Sequence, residues 1–343
     1  MVNDTLVAVD LAKSVFEVAV SRRPGKVASR QRLTRGQFKE YLATCPRAMV
    51  VMEACGSAHY WGRVAEGHGH RVVLIAPHQV RPYVVGNKTD RTDTKGILEA
   101  FRNQDLRPVP IKSVAQQAVG ALHRMRSAWM ETRTARLNTL RGLLRELGIV
   151  IPVGARQVLP HLWAEIGDAD SAIPTALRAS LAAAAEEIGE LETRIGGVEK
   201  QLAALAAQIP AVGRLMTVPG IGLLTATALF AFVGNLGRFT SGRHLASYLG
   251  LTPREHSSGN KRRLGRISKR GDRYLRTLLI HGARSVLVRA KTVAAPDRLR
   301  TWALGLQARV GHNKATVALA NKLARLAWAV WRGESGYVSA PAA

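Results

Sequence analysis

The spacing of apolar and polar positions changes character along the chain. Over the first hundred residues the apolar positions fall in short β-branched runs: 5–10 (TLVAVD), 15–21 (VFEVAVS), 48–53 (AMVVME) and 71–75 (RVVLI). Runs of this length and composition predict strands with buried faces. Leu-Ala-Lys-Ser joins the first two, a spacing that predicts a hairpin. Helical spacing lies around 35–44 and 60–67. The order ββ…αβαβα predicts an α/β layer fold with a mixed sheet.

Beyond residue 113 the apolar positions recur every three or four residues. One long helix is predicted over 113–147, ended by Gly148 and Pro152, and a second over 174–209. In the second, Ile188, Leu191, Ile195, Val198, Leu202, Leu205 and Ile209 form a heptad seam, with Gly196 and Gly197 inside it. Such a seam packs either on its own domain or against a second subunit, and the pattern leaves both open. After Pro210 comes Val218-Pro-Gly-Ile-Gly-Leu, which resembles the turn of a helix-hairpin-helix, where backbone N–H groups meet a phosphate. A plain interhelical turn fits equally well. Further helices are predicted over 272–291 and 312–332. Three parts follow: 1–150 as an α/β domain, 151–210 as a helical, coiled-coil linker, and 211–343 as a mainly α-helical domain.

Charge adds what periodicity does not show. The 343 residues carry 50 Lys and Arg against 24 Asp and Glu, a net charge of +26. That excess repels itself unless a polyanion is present, and nucleic acid is the expected partner. A membrane surface is the weaker alternative. No apolar run approaches transmembrane length, and the N-terminus lacks the basic start and apolar core of a signal peptide. The two cysteines, Cys45 and Cys55, match no zinc spacing and fit a reducing cytoplasm.

Against this basic background the placement of acids is informative. Asp10 ends the first strand and Glu53 ends the third, each after an apolar run where a lone charge is costly. Asp90 and Asp93 stand in GNKTDRTDTKGILEAFR, where a helix begins, three residues apart and so on one face. Taken singly, Asp10 fits a turn cap, and Asp90 or Asp93 an N-cap. Taken together, a strand-end Asp, a strand-end Glu and a helical Asp pair follow the order of acids in ribonuclease-H-like nucleases and resolvases. A cluster of that kind binds Mg²⁺ through oxygen ligands and polarises a phosphodiester.

The stretches VAVDLAKSVFEVAV, VVMEACGSAHYW, NKTDRTDTKGILEAF, TVPGIGLLTATAL and ASYLGLTPREHSSGNKRRLGRISKRGDRYLR occur in this order over nearly the whole chain. In this combination the chain resembles insertion-sequence transposases that join a resolvase-like (RuvC-like) DEDD domain to a C-terminal transposase domain bearing a nucleophilic serine. Members are described as bridge-RNA-guided recombinases. The resemblance implies a ribonuclease-H-like fold for 1–150 and a transposase domain over 211–343. It makes Asp10, Glu53, Asp90 and Asp93 the catalytic, Mg²⁺-binding acids. It also implies donor and target DNA, a structured noncoding guide RNA as partners, and a homodimer or homotetramer.

In the same resemblance the serine before Gly in PR-x-x-x-SG is the nucleophile, here Ser258 in Pro253-Arg-Glu-His-Ser-Ser-Gly259, with Ser257 as the neighbouring alternative. A serine alcohol must lose its proton to attack, and the charge gained by phosphoryl oxygens needs cations. Arg254, Lys261, Arg262, Arg263, Arg266, Lys269 and Arg270 supply them in sequence and are the expected nucleic-acid-binding residues. Without the resemblance, a basic loop gripping DNA backbone explains the same residues. With it, cleavage and rejoining proceed through a serine–phosphate bond, and two domains share one active site.

Other nucleophiles and ligands carry less. Tyr248 and Tyr274 suit a tyrosine recombinase, but that chemistry needs no four acids, and Tyr274 fits packing. His68 and His70 fit a loop before a strand better than a metal site. His256 is a candidate base beside Ser258. Trp129, Trp163, Trp302, Trp328 and Trp331 fit a core or interface. Two other classes fit the charge and the acids: a RuvC-like nuclease or Holliday-junction resolvase using water, and a non-catalytic nucleic-acid-binding protein.

Overall fold

The structure is a computed structural model that describes residues 5–86 and 89–339. Asn87 and Lys88, at the head of the NKTDRTD motif, and the first four residues lie outside the described residues. The chain divides into two compact units, Met1–Ala115 and Gln116–Ala343.

The first unit is a mixed α/β layer. Its strands are β1 (Leu6–Asp10), β2 (Val15–Ser21), β3 (Ser29–Thr34), β4 (Met49–Glu53) and β5 (Arg71–Ile75), in spatial order β3-β2-β1-β4-β5. The first three pair antiparallel, and β1–β4 and β4–β5 pair parallel. Alternation sends Val7, Val9, Phe16, Val18, Val50 and Met52 to one face. There they pack under α1 (Arg35–Thr44) and α2 (Ala58–Gly67). Phe16, Phe38 and Trp61 meet edge to face, with ring centroids 5.1–5.3 Å apart. Ala8, Ala19, Met49 and Val51 face the other way, toward the short α3 (Pro77–Val80) and α4 (Asp90–Arg102). Small residues on β1 and β2 at that face let α4 lie close to the sheet. The predicted strands and hairpin are present. β3 was not predicted, because SRQRLT has no apolar alternation and joins the sheet through its backbone.

The second unit is mostly helical. Its helices are α5 (Val114–Glu146), α6 (Val158–Gly167), α7 (Thr175–Ala207), α8 (Pro210–Met216), α9 (Leu223–Val233), α10 (Gly242–Tyr248), α11 (Arg273–Ala290), α12 (Arg298–Val310) and α13 (His312–Arg332). A two-stranded hairpin, β6 (Pro253–Glu255) and β7 (Leu264–Ile267), stands between α10 and α11. The heptad seam of α7 is buried within the chain. Ile188, Leu181 and Ala185 pack with Leu137, Leu140 and Leu144 of α5, and Val198 and Leu202 with Val119. Arg126–Glu199, Arg133–Glu192 and Arg136–Glu187 ion pairs follow the two antiparallel helices. The seam therefore offers no argument for a second subunit. Gly196 and Gly197 do not break the helix.

The PGIG turn packs against α11. Gly220 takes φ +83°, and a Cβ built on Gly282 of α11 falls 2.0 Å from the Gly220 carbonyl oxygen. Helix propensity alone favours Gly282→Ala by about 1 kcal/mol. The backbone collision outweighs it, and Gly282→Ala is expected to lower stability by roughly 1–3 kcal/mol in urea unfolding. A neutral or stabilising outcome contradicts this packing.

A buried imidazole ties three helices together. The Thr227 hydroxyl donates to the Leu223 carbonyl at 2.6 Å, so it accepts from His123 Nε2–H at 2.9 Å. His123 Nδ1 then accepts the Tyr274 hydroxyl at 2.9 Å. Burial, aided by Arg126, lowers the His123 pKa from 6.5 to about 4. The unfolded chain binds this proton at higher pH than the folded one, so stability rises with pH between about 4 and 6.5. His123→Gln is expected to flatten that slope, worth on the order of 3 kcal/mol, in unfolding measured across the window.

Candidate active site

Parallel pairing decides where the first two acids go. Asp10 closes β1 and Glu53 closes its parallel neighbour β4, so both emerge at one edge of the sheet. Alternation puts them on the face that α4 covers. The start of α4 is fixed by a capping box, in which Thr89 accepts from Thr92 N–H and Thr92 accepts from Thr89 N–H. That cap sets Asp90 and Asp93 in the first turn, where the helix dipole favours negative charge. Close packing holds the helix: a Cβ on Gly96 meets Val84 Cγ2 at 2.6 Å.

All four acids line one cleft of about 780 Å³, bounded also by Leu11, Pro77, Val80 and Arg81. They line its walls. Among the described residues no group of three or more carboxylates, imidazoles or thiols is drawn together at one point. As a donor set, carboxylate oxygens facing a shared cleft fit a hard divalent cation.

One acid of this region escaped sequence reasoning. Glu17 stands opposite Asp10 in the β1–β2 register and is buried. Arg30 and Arg32 on β3 lie 3.7 and 3.9 Å from it. Arg32 also reaches Asp90 at 3.5 Å, and Arg30 donates to Thr94 of α4. The polar strand β3 thus links the sheet to the acid-bearing helix. The visible signal was a glutamate inside the apolar run VFEVAVS.

Ser258 belongs to the second unit, at the exposed tip of the β6–β7 hairpin. Gly259 beside it takes φ +54°, the left-handed turn that glycine accepts. The two adjacent serines differ. Ser257 donates to Glu255 at 2.7 Å and accepts from Arg263 N–H at 3.1 Å. Among the described residues the Ser258 hydroxyl makes no hydrogen bond, and none joins it to His256. Lys261 pairs with Ser258 through the backbone, and Arg262 lies 3.5 Å from Glu255. Arg254 crosses the hairpin to the Ser268 carbonyl. These residues, with Arg263, Arg266, Lys269 and Arg270, are all exposed.

The hairpin tip is open, but its base is clamped. Buried Arg276 of α11 donates to the carbonyls of Leu249 at 3.1 Å and Arg270 at 2.9 Å. Gly250 and Gly271, both left-handed, let the strands of the base touch backbone to backbone; a Cβ on either falls 2.0–2.2 Å from a carbonyl oxygen. Asp272 caps α11 by accepting from Leu275 N–H.

The other candidates are engaged elsewhere. Tyr274 donates to His123. Tyr248 lies under the Arg238 guanidinium, 4.4 Å from its ring centre. Buried His70 accepts from Ala48 N–H and donates to the Leu42 carbonyl, which makes it a structural residue. Cys45 and Cys55 are free thiols. No helix among the described residues is long and apolar enough to cross a membrane.

Comparison with known proteins finds two family profiles. Residues 7–149 match a transposase profile of the DEDD IS110 type, and residues 212–298 match one described as "Transposase IS116/IS110/IS902 family". Similar proteins include a probable family 20 transposase of Pseudomonas aeruginosa, 43% identical over 98% of this chain and 99% of its own length. The transposase for insertion sequence element IS1111A of Coxiella burnetii is 39% identical over 97% of this chain and 91% of its own. The transposase for IS1328 of Yersinia enterocolitica is 37% identical over 96% and 97%.

Removing the clamp is expected to loosen the hairpin. Arg276→Met keeps most of the buried volume but strands two carbonyls, and a loss of about 2–3 kcal/mol is expected in chemical unfolding. Hydrogen exchange should rise over residues 249–271 before it rises elsewhere. Unchanged exchange there would contradict the clamp.

Proposed function

Since the chain belongs to the IS110 family of transposases, acting on DNA in transposition, we propose that it cuts and rejoins DNA strands through a bond between Ser258 and phosphate. The observation that carries this reading is the contrast between neighbouring hydroxyls. Ser257 is occupied by Glu255 and Arg263, whereas Ser258 projects from an exposed, cation-rich turn with no hydrogen bond among the described residues. The clamped base supports it further, because a nucleophile works best on a fixed support.

Ser258 Oγ attacks phosphorus and gives up its proton to a base. An O–P bond to serine forms, the bond from phosphorus to the departing strand oxygen breaks, and that oxygen takes up a proton. Because the phosphate remains a diester, a strand hydroxyl can attack it, restore a DNA linkage and release serine. Lys261, Arg262, Arg263 and Arg266 would stabilise the charge on the phosphoryl oxygens and hold the strand.

The strand order β3-β2-β1-β4-β5, with parallel pairing only at β1–β4–β5, supports a ribonuclease-H-like (RuvC-like) fold for the first unit. Asp10, Glu53, Asp90 and Asp93 would hold Mg²⁺ there, which when bound neutralises phosphate charge. A structured guide RNA, paired with donor and target DNA, would choose the sequence. The net charge of +26 supports a polyanion load larger than one short DNA contact requires. A homo-oligomer belongs to the same proposal. A second reading, hydrolysis by water at the acids alone, is favoured by one observation: all four acids share a cleft in one unit.

The discriminating assay incubates protein, RNA, Mg²⁺ and strand-labelled DNA, denatures the mixture, and looks for label on protein. Ser258→Ala is expected to abolish adduct and recombination, while Ser257→Ala retains the adduct. Cleavage without adduct in the wild type would establish the water reading instead. Omission of RNA should remove target choice.

The acids have their own test. Asp10→Asn or Glu53→Gln is expected to lower adduct formation by about a hundredfold or more, the scale of losing one electrostatic partner of a transition state. Millimolar Mg²⁺ should raise the melting temperature of the wild type by a few degrees, and of these variants by less. Full activity in both variants would remove the metal assignment.

A further inference from the structure

The hairpin also borders a groove of which the roles above use only Arg266. It has a volume of about 1510 Å³ and lies between the β6–β7 hairpin and helices α10, α12 and α13. Its floor is apolar, formed by Leu251, Ile267, Ile280, Val317 and Leu326. Its rim is cationic: Arg243, Arg266, Lys269, Lys314, Lys322 and Arg325 line it, and among the described residues no carboxylate does. Trp302 of α12 stands at the wall, more than a third exposed.

We propose that this groove receives an unpaired nucleotide of single-stranded DNA, with its base against the apolar floor beside Trp302 and its flanking phosphates on the cationic rim. Two features select this occupant. Cations with no carboxylate beside them in the groove lining, around an apolar floor, match a ligand that is flat and apolar in its middle and anionic on both sides. A duplex exposes its phosphates but shields its base faces, so it fits the rim and not the floor. DNA is chosen because Arg266 and Lys269, which line the groove, stand on the same hairpin as Ser258. A strand engaged by that hairpin lies alongside the groove.

The cations at the ring carry an electrostatic cost that a phosphate offsets. Lys322 Nζ lies 4.0 Å from the centre of the Trp302 ring. Burial, with Arg325 and Arg298 nearby, pushes the Lys322 ammonium pKa down. Two features fix the groove's shape. Gly242 opens α10 where a Cβ would come within 3.0 Å of the Arg325 backbone, and Asn321 donates to the Leu251 carbonyl at 3.1 Å. The site is therefore set by packing before any ligand arrives. It extends the proposed function in one respect only: the strand held beside the serine hairpin is DNA.

The test uses the full chain carrying Ser258→Ala, so that binding is read without cleavage. A short fluorescein-labelled single-stranded DNA, the matching blunt duplex and the matching RNA are titrated at fixed salt. Trp302→Leu and Arg325→Gln are each expected to weaken single-stranded DNA at least about fivefold, the lower end for one stacked base, and to change duplex affinity less than twofold. Illumination of the same DNA carrying 5-iododeoxyuridine should crosslink to the peptide containing Trp302. Arg325 is exposed, so its variant and the crosslink decide the matter if Trp302→Leu lowers the melting temperature. Unchanged single-strand affinity in Arg325→Gln, equal losses for duplex, tighter binding of RNA, or a crosslink confined elsewhere would each overturn the proposal. An adduct formed by Ser258→Ala would instead sink the nucleophile reading and leave this comparison intact.

Discussion

Asp10 and Glu53 line one cleft with Asp90 and Asp93 of α4 because strand ladders and a helix cap leave those side chains nowhere else to go. β1 and β4 are parallel and adjacent, so whatever ends one stands beside whatever ends the other. The capping box at Thr89 then fixes which residues of α4 form its first turn. These constraints are made of backbone hydrogen bonds and a cap, not of the acids themselves. A site built on such a frame owes its shape to the backbone and not to attraction among its own side chains.

The second unit meets the opposite charge with the same device. Its cations crowd onto a hairpin whose tip is exposed, while the hairpin's base is packed backbone to backbone. Arg276, Gly250, Gly271 and Asp272 hold it through backbone contacts that few substitutions could reproduce. Rigid base and open tip together allow a loop to be exposed without being shapeless. The groove beside the hairpin uses the same support, so one short segment carries an exposed serine and also lines a basic, apolar-floored channel.

Three buried titratable side chains follow the rule that such groups are paired. His123 is held neutral between Tyr274 and Thr227, and His70 between two backbone groups. Glu17 is paired too and joins layers, since its partners Arg30 and Arg32 also contact α4. Of the three, only His70 was weighed in the sequence; His123 and Glu17 drew no notice there. A histidine's neighbours decide whether it is a ligand, a switch or a rivet, and those neighbours come from helices more than a hundred residues apart in sequence.

Much of the architecture was legible from periodicity. β1, β2, β4 and β5, and the helices α5, α7, α11 and α13, follow from apolar spacing, because each buries a face whose repeat is written in the chain. β3 and α12 were not, since SRQRLT and RLRTWALGLQARV carry too much charge to mark one buried face. Asp10, Glu53, Asp90 and Asp93 could be named from the string as acids in places where acids are costly. That they line one cleft depended on β1 and β4 being parallel neighbours, which no local spacing encodes. The heptad seam showed that α7 needs a partner, and folding chose α5 of the same chain. The motif favoured Ser258 over its neighbour Ser257, and the hydrogen bonds of Ser257 to Glu255 and Arg263 add a structural difference that no letter carries. Local pattern fixes which residues must be buried or charged; which of them meet is decided by long-range pairing, whose energy depends on contacts between distant segments.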